Sequence, residues 1–177
     1  MGMYEIYYIP NTMTINYPYL PEGREIKYVS ADNIFMIEAK NSALRLSNER
    51  QHPTGAVIVA KGEIMARAGN KSALSNKKLI ELHKNGLCVR RILKIPTGKK
   101  YWLCPGCASS KCHAEQLAVK DAKKKGLDIK GADLYLWGHW WCCKPCWDNM
   151  IEAGIKDVFL LSESEKIFNG AHGKNSK

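Results

Sequence analysis

The chain has no long hydrophobic run. No apolar stretch in its sequence approaches the roughly 20 residues that are needed to cross a bilayer. The N-terminal segment MGMYEIYYIPNTMTINYPYL also lacks the basic region followed by an apolar region that directs export. We therefore expect a cytoplasmic protein that has no membrane partner.

Acidic side chains are scarce in the middle of the chain. Twelve basic and three acidic residues lie between Lys84 and Lys130, which gives this region +9 of the total net charge of +10. Such a block attracts phosphate, either on a nucleotide or along a nucleic acid. A solvated helix face would explain the same charges, and for VKDAKKKG alone we favour that explanation.

A disulfide framework is not expected, because the seven cysteines are odd in number and no export signal precedes them. Metal ligation or free thiols are the alternatives. The composition, with 45% hydrophobic and 25% charged residues, is that of a soluble globular protein. We expect one main domain over residues 30–168, an N-terminal extension over 1–29 and a flexible tail over 169–177.

Hydrophobic periodicity predicts alternating helices and strands. SADNIFMIEAKNSALRLSNERQ is typical of a helix with Ser30 or Asp32 as its cap. Its packing face is expected to carry Phe35, Met36, Ala39, Ala43 and Leu46. TGAVIVAKGEIMARAGN predicts a hairpin that turns at Lys61-Gly62, and an irregular insertion follows over about 72–110.

The second half of the chain repeats the alternation. CHAEQLAVKDAKKKG and KPCWDNMIEAG predict helices, whereas ADLYLW and KDVFLL predict strands. This order favours an α/β fold with helices on both faces of one sheet. Near the N-terminus, YEIYYI or MTINYPYL is a candidate for an edge strand or an oligomer contact.

Two predicted helix starts carry the residue types of a zinc site. His113 and Glu115 open one helix, and Cys142, Cys143 and Cys146 stand at the start of another. One histidine and two cysteines suit tetrahedral Zn²⁺ and leave the fourth position to water, as in catalytic sites. Glu115 can then accept a proton from that water and pass it to a leaving amine.

These motifs resemble the cytidine deaminase-like superfamily. His-Ala-Glu followed by Cys-x-x-Cys is similar to the signature of zinc nucleobase deaminases. The resemblance implies a three-layer α/β/α sandwich with a mixed central sheet, a catalytic zinc, Glu115 as the catalytic residue and a homo-oligomer. Register against the Ala-Gly-Ile that follows implies that Cys143 and Cys146 join His113 as ligands. Cys142 then stands where the family usually has a proline.

The insertion narrows the resemblance to one family. GLCVRRILKIPTGKKYWLCPGCASSKCHAEQLA is similar to the segment before His-Ala-Glu in deoxycytidylate (dCMP) deaminases. That family implies a contact between Asn70 and the sugar, and a 5′-phosphate held by basic residues such as Arg90 and Arg91. Surface charge is an equal alternative for each arginine. AGNKSAL lacks the aromatic residue and second glycine of the family, which disfavours regulation by nucleoside triphosphates.

The insertion also contains further cysteines. Cys104 and Cys107 form a second Cys-x-x-Cys, and with Cys88 and Cys112 they supply enough thiolates for a closed structural zinc site. Free or partly buried cysteines are the alternative. The sequence therefore predicts one catalytic zinc and leaves a second, structural zinc open.

Three functions compete on this sequence. Deamination of a cytosine nucleotide, dCMP to dUMP, fits the insertion best and makes a small-molecule nucleotide the partner. A nucleic-acid deaminase, acting on tRNA adenosine or on cytosine in single-stranded DNA, would also use the basic charge and the tryptophans. A non-catalytic zinc module is favoured least, because it would have little need of Glu115.

Overall fold

A computed structural model of the chain describes residues 18–49, 52–95, 100–107 and 109–169. These include the strands β1 to β5, in order Ile26–Val29, Gly55–Ala60, Glu63–Gly69, Asp133–Trp137 and Val158–Leu161. They also include the helices α1 to α5, in order Ile34–Leu46, Lys77–Lys84, Val89–Ile92, Ala114–Lys124 and Lys144–Glu152. Short helical turns lie at Tyr101–Leu103, Ser110–Cys112 and Glu165–Asn169.

The strands form a mixed five-stranded sheet in the order β1-β5-β4-β2-β3. β2 is antiparallel to both β3 and β4, whereas β5 is parallel to β4 and to β1. The predicted hairpin is therefore confirmed, with its turn at Lys61 and Gly62. The parallel pairing of β4 with β5 follows because α5 crosses over between these two strands.

Helices cover both faces of the sheet. Alternate residues of β2 face opposite layers, so Val57 and Val59 pack with α1 while Ala56 and Ile58 pack with α4 and α5. Trp147 of α5 is fully buried in the second layer. The three-layer α/β/α sandwich with a mixed sheet is confirmed.

Helix α1 has its cap at Asn33, one residue after the predicted candidate Asp32 and three after Ser30. The Asn33 side chain, and not that of Ser30 or Asp32, accepts hydrogen bonds from the backbone N–H groups of Phe35 and Met36, at 3.0 and 3.1 Å. Ser30 and Asp32 instead bond to each other. Leu46, predicted on the packing face, is 39% exposed and is the last residue of the helix.

A glycine lets α1 lie directly on the sheet. A Cβ atom at Gly55 would stand 2.1 Å from the carbonyl oxygen of Ala39 and 2.4 Å from the nitrogen of Ala43. No side chain fits between these backbones. The close approach seats α1 at the start of β2, next to the edge where the candidate site lies.

The N-terminal edge strand comes from residues 26–29, inside the predicted extension 1–29. YEIYYI lies outside the described residues, as does MTINYPYL apart from its last three residues, which form no strand. Arg24 anchors the described segment by donating to the carbonyl oxygens of Ile155 and Lys156, at 3.1 and 2.7 Å. The predicted tail lies outside the described residues from residue 170 onward.

The elements around the candidate site meet at the edge of the sheet where β2 begins and where β3 and β4 end. Gly55 at the start of β2 pairs with Gly69 at the end of β3 and with Trp137 at the end of β4. The Lys71 N–H donates to the carbonyl oxygen of Cys112 at 2.8 Å, which brings the start of α4 to this edge. None of the described helices has the length and apolar character needed to span a membrane.

Candidate metal centre

Three potential metal ligands meet where α4 and α5 begin. His113 is the residue before α4, Cys143 is the residue before α5, and Cys146 lies in the first turn of α5. His113 Nδ1 is 3.5 Å from the sulfur of Cys143 and 3.5 Å from that of Cys146. The two sulfurs are 3.3 Å apart. Two helix starts thus bring together residues that are thirty positions apart in sequence.

The spacing of these atoms fits a tetrahedral zinc ion. Zinc bonds of about 2.3 Å to sulfur and about 2.0 Å to nitrogen place neighbouring ligand atoms roughly 3.5 Å apart. Hydrogen bonding with Cys146, together with the hydrogen bond and charge of His113, lowers the pKa of Cys143 to about 5 despite its burial. The thiolate form that a metal requires is therefore favoured for Cys143, whereas hydrogen bonding with Cys143 and burial raise the pKa of Cys146.

Glu115 lies beside this triangle in the first turn of α4. Its side chain is buried, with the residue only 4% exposed, and it contacts Cys146. Burial raises the pKa of Glu115 above its usual value, and nearby His113 partly opposes that shift. Burial thus favours the protonated form of this carboxyl group, which suits a residue that takes up and gives back a proton.

Cys142 is adjacent to the ligands but belongs to a different set of contacts. Its fully buried thiol hydrogen-bonds the carboxyl group of Glu115, and burial raises the pKa of Cys142 well above its usual value. Among the described residues, the group that could hold a metal contains Cys143 and Cys146 but not Cys142. Cys142 therefore contacts Glu115 and lies outside the group of potential metal ligands.

Gln116 connects the two helix starts, a role that the sequence did not predict. Its side-chain nitrogen donates to the carbonyl oxygen of Pro145 at 2.7 Å. Pro145 lies between Cys143 and Cys146, so this bond holds the first turn of α5 against α4. The only sequence signal for it is the position of Gln116 directly after Glu115.

The GHWW segment folds back on itself before α5. His139 Nδ1 accepts hydrogen bonds from the N–H groups of Trp140 and Trp141, at 3.1 and 3.3 Å. The His139 ring also lies edge-on to the Trp141 ring, with centroids 5.1 Å apart. One ring nitrogen of His139 is thus occupied within its own loop, which does not favour a role for that nitrogen as a ligand.

Asn70 lies at the same sheet edge and organises the chain around it. Its side-chain oxygen accepts from the Thr54 N–H at 2.9 Å and from the Ser47 hydroxyl at 2.6 Å. Its nitrogen donates to the carbonyl oxygen of His52 at 3.0 Å. The amide nitrogen has a second N–H, so a sugar contact would use that hydrogen.

The two arginines proposed for phosphate binding lie in different environments. Arg90 is only 8% exposed, and its Nη1 lies 3.6 Å from the sulfur of Cys107. Arg91, the next residue of α3, is exposed. The burial of Arg90 against a cysteine disfavours a phosphate contact for it and leaves Arg91 as the candidate.

A second group of potential ligands lies in the insertion. Its members are His83, Cys88, Cys104 and Cys107, whose ligand atoms all lie within 4.8 Å of one another. The sequence predicts Cys112 as the fourth member of this group, but the structure has His83, at the end of α2, in its place. Cys112 instead closes the turn before His113, where its carbonyl oxygen accepts from Lys71. A histidine in a short charged helix gives little sequence signal as a ligand.

The chain is similar to known deaminases. A family model described as the cytidine and deoxycytidylate deaminase zinc-binding region matches residues 29–162. No curated protein sequence matches the chain.

The sequence identity between this chain and three similar solved structures is below 25%. The dCMP deaminase from the cyanophage S-TIM5 in its apo form is 19% identical, with 78% of this chain and 89% of that chain covered and a TM-score of 0.44. Guanine deaminase from Bacillus subtilis is 19% identical, with 81% and 75% covered and a TM-score of 0.41. A diaminohydroxyphosphoribosylaminopyrimidine deaminase/5-amino-6-(5-phosphoribosylamino)uracil reductase from Thermotoga maritima is 24% identical, with 78% and 33% covered and a TM-score of 0.41.

Proposed function

The chain belongs to the cytidine and deoxycytidylate deaminase zinc-binding family, and we propose that it converts the cytosine nucleotide dCMP to dUMP and ammonia. One observation carries the chemistry: a buried carboxyl group, Glu115, lies beside three ligand atoms that fit zinc. A purely structural metal site would have little use for such a group. The resemblance of the insertion to that of dCMP deaminases supports the choice of substrate.

The proposed mechanism assigns one role to each group. His113, Cys143 and Cys146 hold the zinc, which when bound supplies an activated water for attack at C4 of the base. Glu115 accepts the proton of that water and delivers it to N3 of the ring. It would then take the second proton, from the hydroxyl now on C4, and pass it to the exocyclic amine, which would leave as ammonia as the C4–N bond breaks and the C4=O bond forms. Burial keeps bulk water away from Glu115, so the proton stays between this carboxyl group and the substrate.

The proposed contacts with the rest of the nucleotide come from the same edge of the sheet and from the insertion. The second N–H of the Asn70 amide is available to donate to a sugar oxygen. Arg91 is exposed on α3 within the basic region and supplies a charge for the 5′-phosphate. These assignments rest on the resemblance, on the Asn70 hydrogen bonds and on the exposure of Arg91.

A nucleic-acid deaminase is the second candidate. Trp102 is 80% exposed and lies in the basic insertion, two residues after Lys100. An exposed indole beside positive charge suits stacking on an unpaired base of tRNA or single-stranded DNA.

Ammonia release with a panel of substrates separates these functions. The panel contains dCMP, CMP, deoxycytidine, dCTP, a short cytosine-containing oligonucleotide and an adenosine-containing tRNA anticodon stem-loop. We expect the highest kcat/KM with dCMP. Turnover of a nucleic acid alone would overturn the proposal in favour of the second candidate, and a zinc-loaded chain inactive on every substrate would support a non-catalytic module.

We also propose a cytoplasmic homo-oligomer. All seven cysteines are described and none forms a disulfide, as in a reducing compartment. The exposed side of α1 carries Ile34, Ile37 and Leu44, which are 69%, 43% and 56% exposed and follow helical spacing. Sedimentation equilibrium of the wild-type chain tests the assembly, and a monomer at micromolar concentration would contradict it.

A further inference from the structure

The insertion contains a set of side chains that the proposed deamination does not use. His83, Cys88, Cys104 and Cys107 come from the end of α2, the start of α3 and the loop before Ser110–Cys112. We infer that these four residues bind a second zinc ion, at a closed site that leaves no coordination position for a substrate. The inference does not depend on the substrate of the enzyme or on its activity.

Two distances within the group are close to those between the ligands of a tetrahedral zinc ion. The sulfurs of Cys88 and Cys107 are 3.5 Å apart, and the sulfur of Cys107 is 3.7 Å from His83 Nε2. Zinc bonds of about 2.3 Å to sulfur and about 2.0 Å to nitrogen give ligand separations of roughly 3.5–3.8 Å. Three cysteines and one histidine form a common ligand set of structural zinc sites.

The backbone around Cys104 has the form of a metal-binding turn. The Cys107 N–H donates to the carbonyl oxygen of Cys104 at 3.0 Å, which closes the Cys-Pro-Gly-Cys turn. The N–H groups of Gly106 and Val89 hydrogen-bond to the Cys104 sulfur. Such N–H groups stabilise a thiolate, which is the form that coordinates metal.

Gly106 has a steric role in this turn. A Cβ atom on Gly106 would lie 2.1 Å from Cδ2 and 2.6 Å from Nε2 of the His83 ring. The ring therefore packs directly on the backbone of the turn, where its Nε2 atom faces Cys107. Only glycine at position 106 leaves room for histidine as the fourth ligand.

A buried arginine would offset the net charge of a zinc ion bound by these four ligands. Three thiolates and a neutral imidazole around Zn²⁺ carry a net charge of −1. The Arg90 guanidinium is buried and lies 3.6 Å from the sulfur of Cys107, so its positive charge offsets that excess. The burial of Arg90, unexpected for a phosphate ligand, is explained by this arrangement.

The insertion has little else to hold it together. Among the described residues, neither apolar core cluster of the sandwich includes a residue of 72–110. Several apolar side chains of the insertion are exposed, including Leu82, Leu87 and Ile92 at 48%, 60% and 61%. Helices of eight and four residues are too short to be stable alone. A metal that joins α2, α3 and the turn would supply the missing cross-link.

Metal content of the full chain tests the inference. Protein purified with zinc present and analysed by mass spectrometry of the metal is expected to contain two zinc ions per chain. His83→Ala, Cys88→Ser and Gly106→Ala are each expected to reduce this to one, and Gly106→Ala does so without removing a ligand atom. The matched control Cys112→Ser is expected to retain two.

The wild-type chain provides a second test, which does not depend on whether these variants fold. Cadmium-113 NMR of the cadmium-loaded chain is expected to show two resonances, one shifted as for three sulfur ligands and one as for two. A single resonance, one zinc per chain, or loss of the second zinc in Cys112→Ser but not in His83→Ala would overturn the inference. Because none of these readouts involves turnover, failure of the proposed deamination would leave them unchanged.

Discussion

Glu115 is the residue to which we assign the proton transfer of the proposed reaction. We expect Glu115→Gln to lower kcat by at least about a hundredfold, because the amide cannot accept and return a proton. Zinc content is expected to stay at the wild-type value, since Glu115 is not in the ligand group. Ammonia release and metal analysis on the same preparation provide the measurement.

The matched control is Glu152→Gln, which makes the same chemical change at an exposed position at the end of α5. It is expected to retain wild-type turnover. Loss of zinc in Glu115→Gln would mean that the carboxyl group supports the metal, and full turnover in that variant would rule out its role as proton carrier.

The adjacent cysteines provide a second test. Cys143→Ser is expected to lose the zinc at the candidate active site, because a serine hydroxyl is a poor ligand for this ion. Cys142→Ser is expected to keep it, since the Cys142 thiol contacts Glu115 and not the metal position. Zinc titration against a chromogenic chelator measures both affinities. Similar affinities in the two variants would contradict the ligand assignment.

Single residues show both what sequence can predict and what it misses. His113, Glu115, Cys143 and Cys146 come together as the motifs and the family register predict, because each is attached to a helix start. The sequence did not predict His83 as a ligand or the burial of Arg90, since the surroundings of both side chains are made by a turn further along the chain. No local pattern records that packing.

Helices α4 and α5 must keep a fixed relation for the ligands to meet. Gln116→Met removes the hydrogen bond to the Pro145 carbonyl but keeps the length of the side chain. We expect a loss of about 1 kcal/mol in the free energy of unfolding, and weaker zinc binding with it. Chemical denaturation and zinc titration provide the two measurements.

The control for this bond is Lys120→Met, at an exposed position one turn further along α4. It is expected to change neither quantity. Weaker stability with unchanged zinc affinity in Gln116→Met would show that the ligands hold their positions without this bond.

Regular elements were well predicted because their signals are local. The continuous apolar run Ala56 to Ala60 reflects burial against the layers on both faces of the sheet, and the helical spacing of Ala118 and Ala122 reflects burial against one layer. The insertion was predicted only as irregular, although it contains α2 and α3, because its contacts involve ligand side chains and little apolar surface. The cap of α1 moved to Asn33 because Ser30 and Asp32 bond to each other.

The net charge of +10 predicts that the affinity for a phosphorylated substrate depends on salt. We expect the KM for dCMP to rise several-fold as ionic strength increases from low to above physiological, because salt screens attraction between the basic region and a phosphate. The KM for deoxycytidine, which has no phosphate, is expected to change little. Initial rates across a salt series provide the measurement.

Substitution of single charges localises the effect. Arg91→Gln is expected to raise the KM for dCMP and reduce its salt dependence, whereas Lys40→Gln on the exposed side of α1 should leave both unchanged. Equal salt dependence for dCMP and deoxycytidine would contradict a phosphate contact.

The pairing of β1 with β5 affects how the chain can fold as it is synthesised. Ile26 lies opposite Val158, so the first described strand finds its only described neighbour near the end of the sequence. The ribosome must therefore deliver almost the whole chain before this edge of the sheet can close, and contacts of such separation form slowly. Until then the IKYV segment leaves its hydrogen-bonding groups unpaired. A nascent chain stalled before residue 158 should accordingly be the form most prone to chaperone binding.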